Sequence, residues 1–84
     1  MAARHQKTLA LIFENPVRPD VNWADIMSLI QHLGAEISEG KGSRVRIALN
    51  GIRAVFHRPH PGKETDKGAL KSMRRFLAVA GVKP

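Results

Sequence analysis

The sequence predicts a small α+β domain: a helix, a three-stranded antiparallel sheet and a second helix in chain order, preceded by an extra N-terminal segment. Three observations carry this. Asn50-Gly51 sits between two six-residue runs rich in β-branched and aromatic residues, the strongest short-range signal for a hairpin. Apolar residues recur at helical spacing over 23–33, and again over 67–80. Each of those runs opens on a capping residue and closes on a glycine.

Eighty-four residues make one small domain, with little core to spare and no second domain to hold a substrate. The absence of cysteine excludes disulfides and thiolate metal sites. The longest apolar run, Leu9 to Phe13, is far too short to span a bilayer, and the N-terminus lacks the apolar stretch of a secretory signal. A cytoplasmic protein is expected.

In order along the chain, Met1 to Gln6 is polar and expected to fray, and His5 has no evident role. Over Lys7 to Glu14, Leu9, Ile12 and Phe13 fit a helical stripe; a continuous apolar run also suits a buried strand, but a short helix is favoured. Pro16 and Pro19 bracket an extended loop, because each disfavours helix in the residue before it. Asn22 is a good N-cap with Asp25 three residues on, and Trp23, Ile26, Met27, Ile30 and Leu33 stripe a helix from Trp23 to Leu33, stopped by Gly34. His32 falls off that stripe and is expected at the surface. Ala35 to Ser38 reads as a short first strand. The loop Glu39-Gly40-Lys41-Gly42-Ser43 is no P-loop, which needs a different glycine spacing and a strand-to-helix setting; an ordinary turn is favoured. After the hairpin, Arg58-Pro59-His60-Pro61-Gly62 is a loop, since two prolines and a glycine cannot continue a central strand. Asp66 or Thr65 caps a last helix, Lys67 to Ala80, with Leu70, Met73, Leu77 and Ala80 inside and Phe76 flanking.

A two-residue loop fixes strand register. Leu49 then faces Ile52, Ala48 faces Arg53, Ile47 faces Ala54, Arg46 faces Val55, Val45 faces Phe56 and Arg44 faces His57. Side chains alternate across a strand, so Val45, Ile47, Leu49, Ile52, Ala54 and Phe56 share the core face. The other face carries Arg44, Arg46, Arg53 and His57, with Val55 its one large apolar member. A solvated sheet face is the bland explanation. Three arginines and a histidine without an acidic partner argue instead for a face shaped for an anion, since like charges oppose cross-strand pairing.

Charge is asymmetric. Residues 1–43 hold four Lys/Arg and five Asp/Glu, a charge of −1; residues 44–84 hold ten and two, a charge of +8, so the second half carries more than the whole net +7. Such a footprint belongs to a nucleic-acid binder or to a protein with an acidic partner. Lys67, Lys71, Arg74 and Arg75 gather on the outer side of the last helix; with the sheet face they suggest a shared phosphate-binding surface.

The order helix, three strands, helix, with Gly42-Ser43 before the second strand, the Asn50-Gly51 hairpin, and Pro59-His60 followed by a lysine-rich helix, resembles the HicA family of toxin ribonucleases. The resemblance covers Asp25 to Val82. It implies a double-stranded-RNA-binding-domain-like fold over 23–84, with 1–22 as an N-terminal extension. It also implies cleavage of mRNA and inhibition by a HicB-type antitoxin. RNA contacts are then expected from Lys41, Ser43, Arg46, Arg53, Arg58, Lys63, Lys67, Lys71, Arg74 and Arg75.

The chain departs from the family at one position. The family carries its catalytic histidine just after the Gly-Ser, where this chain has Arg44, and a guanidinium does not lose its proton at any accessible pH. His57 faces Arg44 across the hairpin, about 5 Å away at Cβ, so an imidazole there occupies nearly the same space. The expected chemistry is metal-free: His57 takes the ribose 2′-hydroxyl proton, and Arg44, Arg46 or Arg53 stabilises the phosphorane. His60, matching the histidine after the family's third strand, is either a general acid or a residue that fixes the loop. The His57 and His60 spacing does not match a helical zinc motif, and no metal or cofactor is expected. Two other classes stay open: a catalytically silent RNA-binding module, favoured by the Arg44 departure, and a structural partner for an acidic protein.

Overall fold

A computed structural model describes residues 2–60 and 62–84; Pro61, in the expected loop, and Met1 lie outside the described residues. Helix α1 (Ala3–Ile12) leads through a proline loop to strand β1 (Val21–Asn22) and helix α2 (Trp23–His32). Strands β2 (Glu36–Glu39), β3 (Arg44–Leu49) and β4 (Ile52–His57) follow, then β5 (Glu64–Thr65) and helix α3 (Lys67–Val79). The antiparallel sheet has the order β2-β3-β4, and its apolar face is covered by the helices. The α+β class, the helix, three-strand, helix order and the dsRBD-like arrangement all match expectation.

The hairpin adopts the predicted register in all six pairs, Arg44↔His57 to Leu49↔Ile52. Asn50 and Gly51 have φ of 51° and 81°, the doubly positive backbone of a type I′ turn, which matches the right-handed twist of the strands it joins. Asn50 also donates from Nδ2 to the Ala80 carbonyl at 2.8 Å, tying the turn to the end of α3. Val45, Ile47, Leu49 and Phe56 are buried, while Arg44, Arg46, Arg53, Val55 and His57 are exposed. Phe56 is central to the core: Phe76 of α3 meets it edge-on at 5.9 Å between ring centroids, and Trp23 of α2 lies tilted at 6.5 Å. Aromatic pairs in these geometries add about 1 kcal/mol each beyond the area they bury.

The caps are as read. Asn22 Oδ1 accepts from Ala24 N at 2.9 Å, and Asp66 Oδ1 accepts from Ala69 N at 2.8 Å. Asp66 rather than Thr65 is therefore the cap. Thr65 is instead buried in β5, opposite Val21 in a two-residue ladder with β1 that the sequence pattern did not reveal.

The N-terminal segment differs from expectation. Residues 3–6 are helical rather than frayed, and α1 ends at Ile12, before Glu14. Its inner stripe is His5, Thr8, Leu9 and Ile12, so half of the buried positions are polar types that a hydrophobic pattern passes over. Leu9 and Ile12 join the same core as α2 and α3. Arg74 fastens the far end: Nε donates to the Ile12 carbonyl at 2.9 Å, Nη2 to the Glu14 carbonyl at 2.6 Å and Nη1 to Asn15 Oδ1 at 3.1 Å. His5, expected to be idle, is buried and stacks on exposed His32 at 4.9 Å, its Nδ1 without a hydrogen-bond partner.

Two outcomes follow for stability. Arg74→Ala removes three charge-assisted bonds and should cost about 2 kcal/mol in urea denaturation; a loss within error of zero would contradict its role as a fastener. Burial, then the neighbouring His32 and Arg4, pushes the His5 imidazole below its ordinary 6.5. The unfolded chain therefore binds that proton more readily, so this contribution is complete above pH 6.5 and is lost as pH falls through the lower folded value. The urea midpoint should drop over that range, and drop less in His5→Leu; equal slopes would contradict the assignment.

Candidate functional site

The site is built where two irregular segments meet one end of the sheet. The turn 40–43 closes onto β3 through Gly40 N donating to the Arg44 carbonyl at 2.9 Å, and Arg58 N donates to the Ser43 carbonyl at 2.8 Å. Glycine suits position 40 by close approach, since a Cβ there would stand 3.2 Å from the Cβ of Arg44, a tight contact. The first bond continues the pairing of β2 with β3; the second continues the hairpin ladder by one pair and holds Ser43 beside the end of β4. There the Ser43 hydroxyl lies 3.3 Å from His57 Nδ1.

His57 shares an open groove of about 530 Å³ with Lys41, Arg44, Arg46 and Val55. Three cations thus line the groove that holds the imidazole, and no acid does. An anion entering it gains from all three, while the two ring nitrogens divide their work: Nδ1 toward Ser43, Nε2 left for another partner. When the Nδ1 proton is donated to Ser43 Oγ, Nε2 carries a lone pair and can accept a proton.

The other predicted residues are distributed around this groove. His60 lines a neighbouring depression of about 410 Å³ with Gly42, Ser43, Arg58 and Pro59, so Ser43 belongs to one cavity and touches the histidine of the other. The Arg58 guanidinium pairs with Glu39 Oε1 at 2.9 Å and remains partly exposed. Arg53 stands farther along the open face, in a cleft with Glu36, Ser38 and Arg46. Glu36 is opposite Ala48, which is opposite Arg53, so β2 brings an acid onto a face that the hairpin alone makes wholly basic.

The last helix contributes less to this face than its charge suggested. Its apolar stripe packs on the core side of the sheet, which turns exposed Lys67 and Lys71 to the outside of the helix layer, away from the His57 groove. Arg74 is taken up by the N-terminal segment. Arg75 alone of the four reaches a sheet-side groove, near Arg53 at the margin of β4. Lys63 is exposed beside β5, and its carbonyl accepts from Trp23 N at 2.9 Å. The expected continuous surface is therefore two basic regions, one on the sheet and one on the helix layer.

Ser43 as a partner of His57, Glu36 on the open face and Glu39 on Arg58 were not singled out as such partners from sequence. The first was within reach, because the ladder that pairs Arg44 with His57 sets Ser43 against Arg58. Among the described residues no three His, Asp or Glu side chains gather as a metal site would require, and no helix is long and apolar enough to cross a membrane.

A family model described as HicA toxin of bacterial toxin-antitoxin matches residues 23–82. No curated protein and no solved structure matches the chain.

Salt dependence distinguishes the residues that meet a polyanion from those that do not. Arg46→Gln should weaken binding to a single-stranded RNA and reduce the slope of log K against log salt by about 0.7, the value for one lost phosphate contact. Arg74→Gln should leave the slope unchanged. Equal slopes for Arg46→Gln and wild type would show that the open sheet face meets no polyanion.

Proposed function

Because the chain belongs to the HicA toxin family of bacterial toxin–antitoxin pairs, we propose that its toxicity is ribonucleolytic, with mRNA as substrate and a HicB-type antitoxin as its inhibitor. The observation that carries this reading is the setting of His57: directly across from Arg44, in a groove with Lys41 and Arg46, with Nδ1 beside the Ser43 hydroxyl. The imidazole lost from the position after Gly42-Ser43 is regained one strand over.

In the reaction, Nε2 of neutral His57 takes the proton of a ribose 2′-hydroxyl as its oxygen attacks the adjacent phosphorus. Nδ1–H donates a hydrogen bond to Ser43 Oγ, which fixes the ring and the tautomer that a base requires. Arg44, Arg46 and Lys41 stabilise the charge that accumulates on the phosphorane oxygens. The bond from phosphorus to the 5′-oxygen then breaks, and that oxygen takes a proton from His60 or from water. Products are a 2′,3′-cyclic phosphate and a 5′-hydroxyl, and no metal takes part in any step.

Cleavage of an end-labelled RNA in EDTA tests this. His57→Ala should cut about 10²–10⁴-fold more slowly, the range for removal of a general base, while RNA binding is retained. His60→Ala should fall by a similar factor if His60 is the acid, and stay near wild type if it only fixes the loop. Unimpaired cutting by His57→Ala would overturn the assignment. Absence of cutting by wild type, with salt-sensitive binding intact, would make the chain a silent RNA-binding module, the reading that Arg44 favours.

A further inference from the structure

Strand β4 pairs with β3 on one side and has an open edge on the other. The bond from Arg58 N to the Ser43 carbonyl fixes which pairs exchange hydrogen bonds: 43 with 58, and by alternation 45 with 56, 47 with 54 and 49 with 52. Arg53, Val55 and His57 therefore direct their backbone N–H and C=O groups outward. Proteins blunt such an edge with proline, a bulge, a short strand or charge; β4 is an unbulged six-residue run without proline, and Arg53 is the fixed charge along it.

Apolar surface lies on both sides of the same edge. Val55 and Val79, 58% and 61% exposed, are the two large apolar side chains left open among the described residues. Val55 stands on the open face of the sheet. Val79 lines a groove of about 240 Å³ with Ile52, Ala54 and Phe76, and Arg53 and Arg75 stand at its margin.

An added strand presents alternate side chains to the two faces of a sheet. On this edge one set would enter the groove under β4 and the other would lie beside Arg53, Val55 and His57. The complementary sequence is extended, with apolar residues alternating with acidic ones. A second copy of the chain fits poorly, because pairing two β4 edges sets Arg53, His57 and Arg75 of two strongly cationic molecules against each other.

We propose that the antitoxin supplies an acidic, alternately apolar segment that docks on β4 as a fourth strand. This rests on the toxin–antitoxin pairing and not on the ribonuclease reading. Its carboxylates would then lie beside Arg53 and over the face that holds His57, so docking and RNA entry compete for the same surface.

Hydrogen exchange of the ¹⁵N-labelled chain, alone and with its cognate antitoxin, tests the proposal. The amides of Arg53, Val55 and His57 should exchange quickly in the free chain and at least about tenfold more slowly in the complex. Val79→Glu should weaken antitoxin binding by at least about tenfold while leaving RNA cleavage unchanged, since Val79 lies outside the His57 groove. Formation of the complex with those three amides exchanging at the free rate would overturn the proposal, as would equal protection of the chain alone at the same concentration, which would assign the edge to self-association. Cleavage measured on the same preparation reports separately on the ribonuclease reading.

Discussion

Two residues, Asn50 and Gly51, leave the strands they join a single register, and the open face of the sheet follows from it. With Leu49 set against Ile52, every second pair is committed to the core, and Arg44, Arg46, Arg53 and His57 have only the other face to occupy. A slip of β4 by one residue against β3 would carry Phe56 into water and Arg53 into the core, the arginine losing several kcal/mol of hydration. The core holds the register and the register holds the site. The same alternation decides which backbone groups of β4 are bonded and which point away from the sheet.

The groove around His57 combines cations whose repulsion the fold must contain. Lys41, Arg44 and Arg46 line it together, and the charge is offset at its borders: Glu36 stands in the row of Arg53, and Glu39 pairs with Arg58. These acids stand on β2 and outside the groove itself, so the potential there remains positive. Ser43 brings a neutral polar group to the imidazole, by the bond that holds the turn 40–43 against the end of β4. In the proposed reaction the base has one ring nitrogen beside Ser43 and stands among three cations able to hold a phosphate.

Legibility in the sequence followed the range of the interaction concerned. The hairpin register and the caps Asn22 and Asp66 are local, set by turn geometry and by residues two or three apart, and were readable. The β1–β5 ladder is two residues long and has no period to read. The first turn of α1 is not legible because its one buried residue, His5, counts as polar. Arg74 looked like a member of a basic stripe; its acceptors lie 59 to 62 residues away in sequence, and nothing local announces them. Glu36 reaches the open face through a four-residue connection that, unlike the hairpin, does not fix a register from sequence alone.

The central claim is that the imidazole has crossed the hairpin and that its place, more than its strand, makes the site. Arg44 and His57 form a pair that exchanges no ladder bonds, in which opposing side chains stand closest. The direct measurement is RNA cleavage by the double variant Arg44→His, His57→Arg beside His57→Arg alone, each checked for folding and RNA binding. The crossed arrangement predicts that the single variant loses cutting and the double variant regains it. A double variant that folds, binds RNA and stays inactive would contradict the claim.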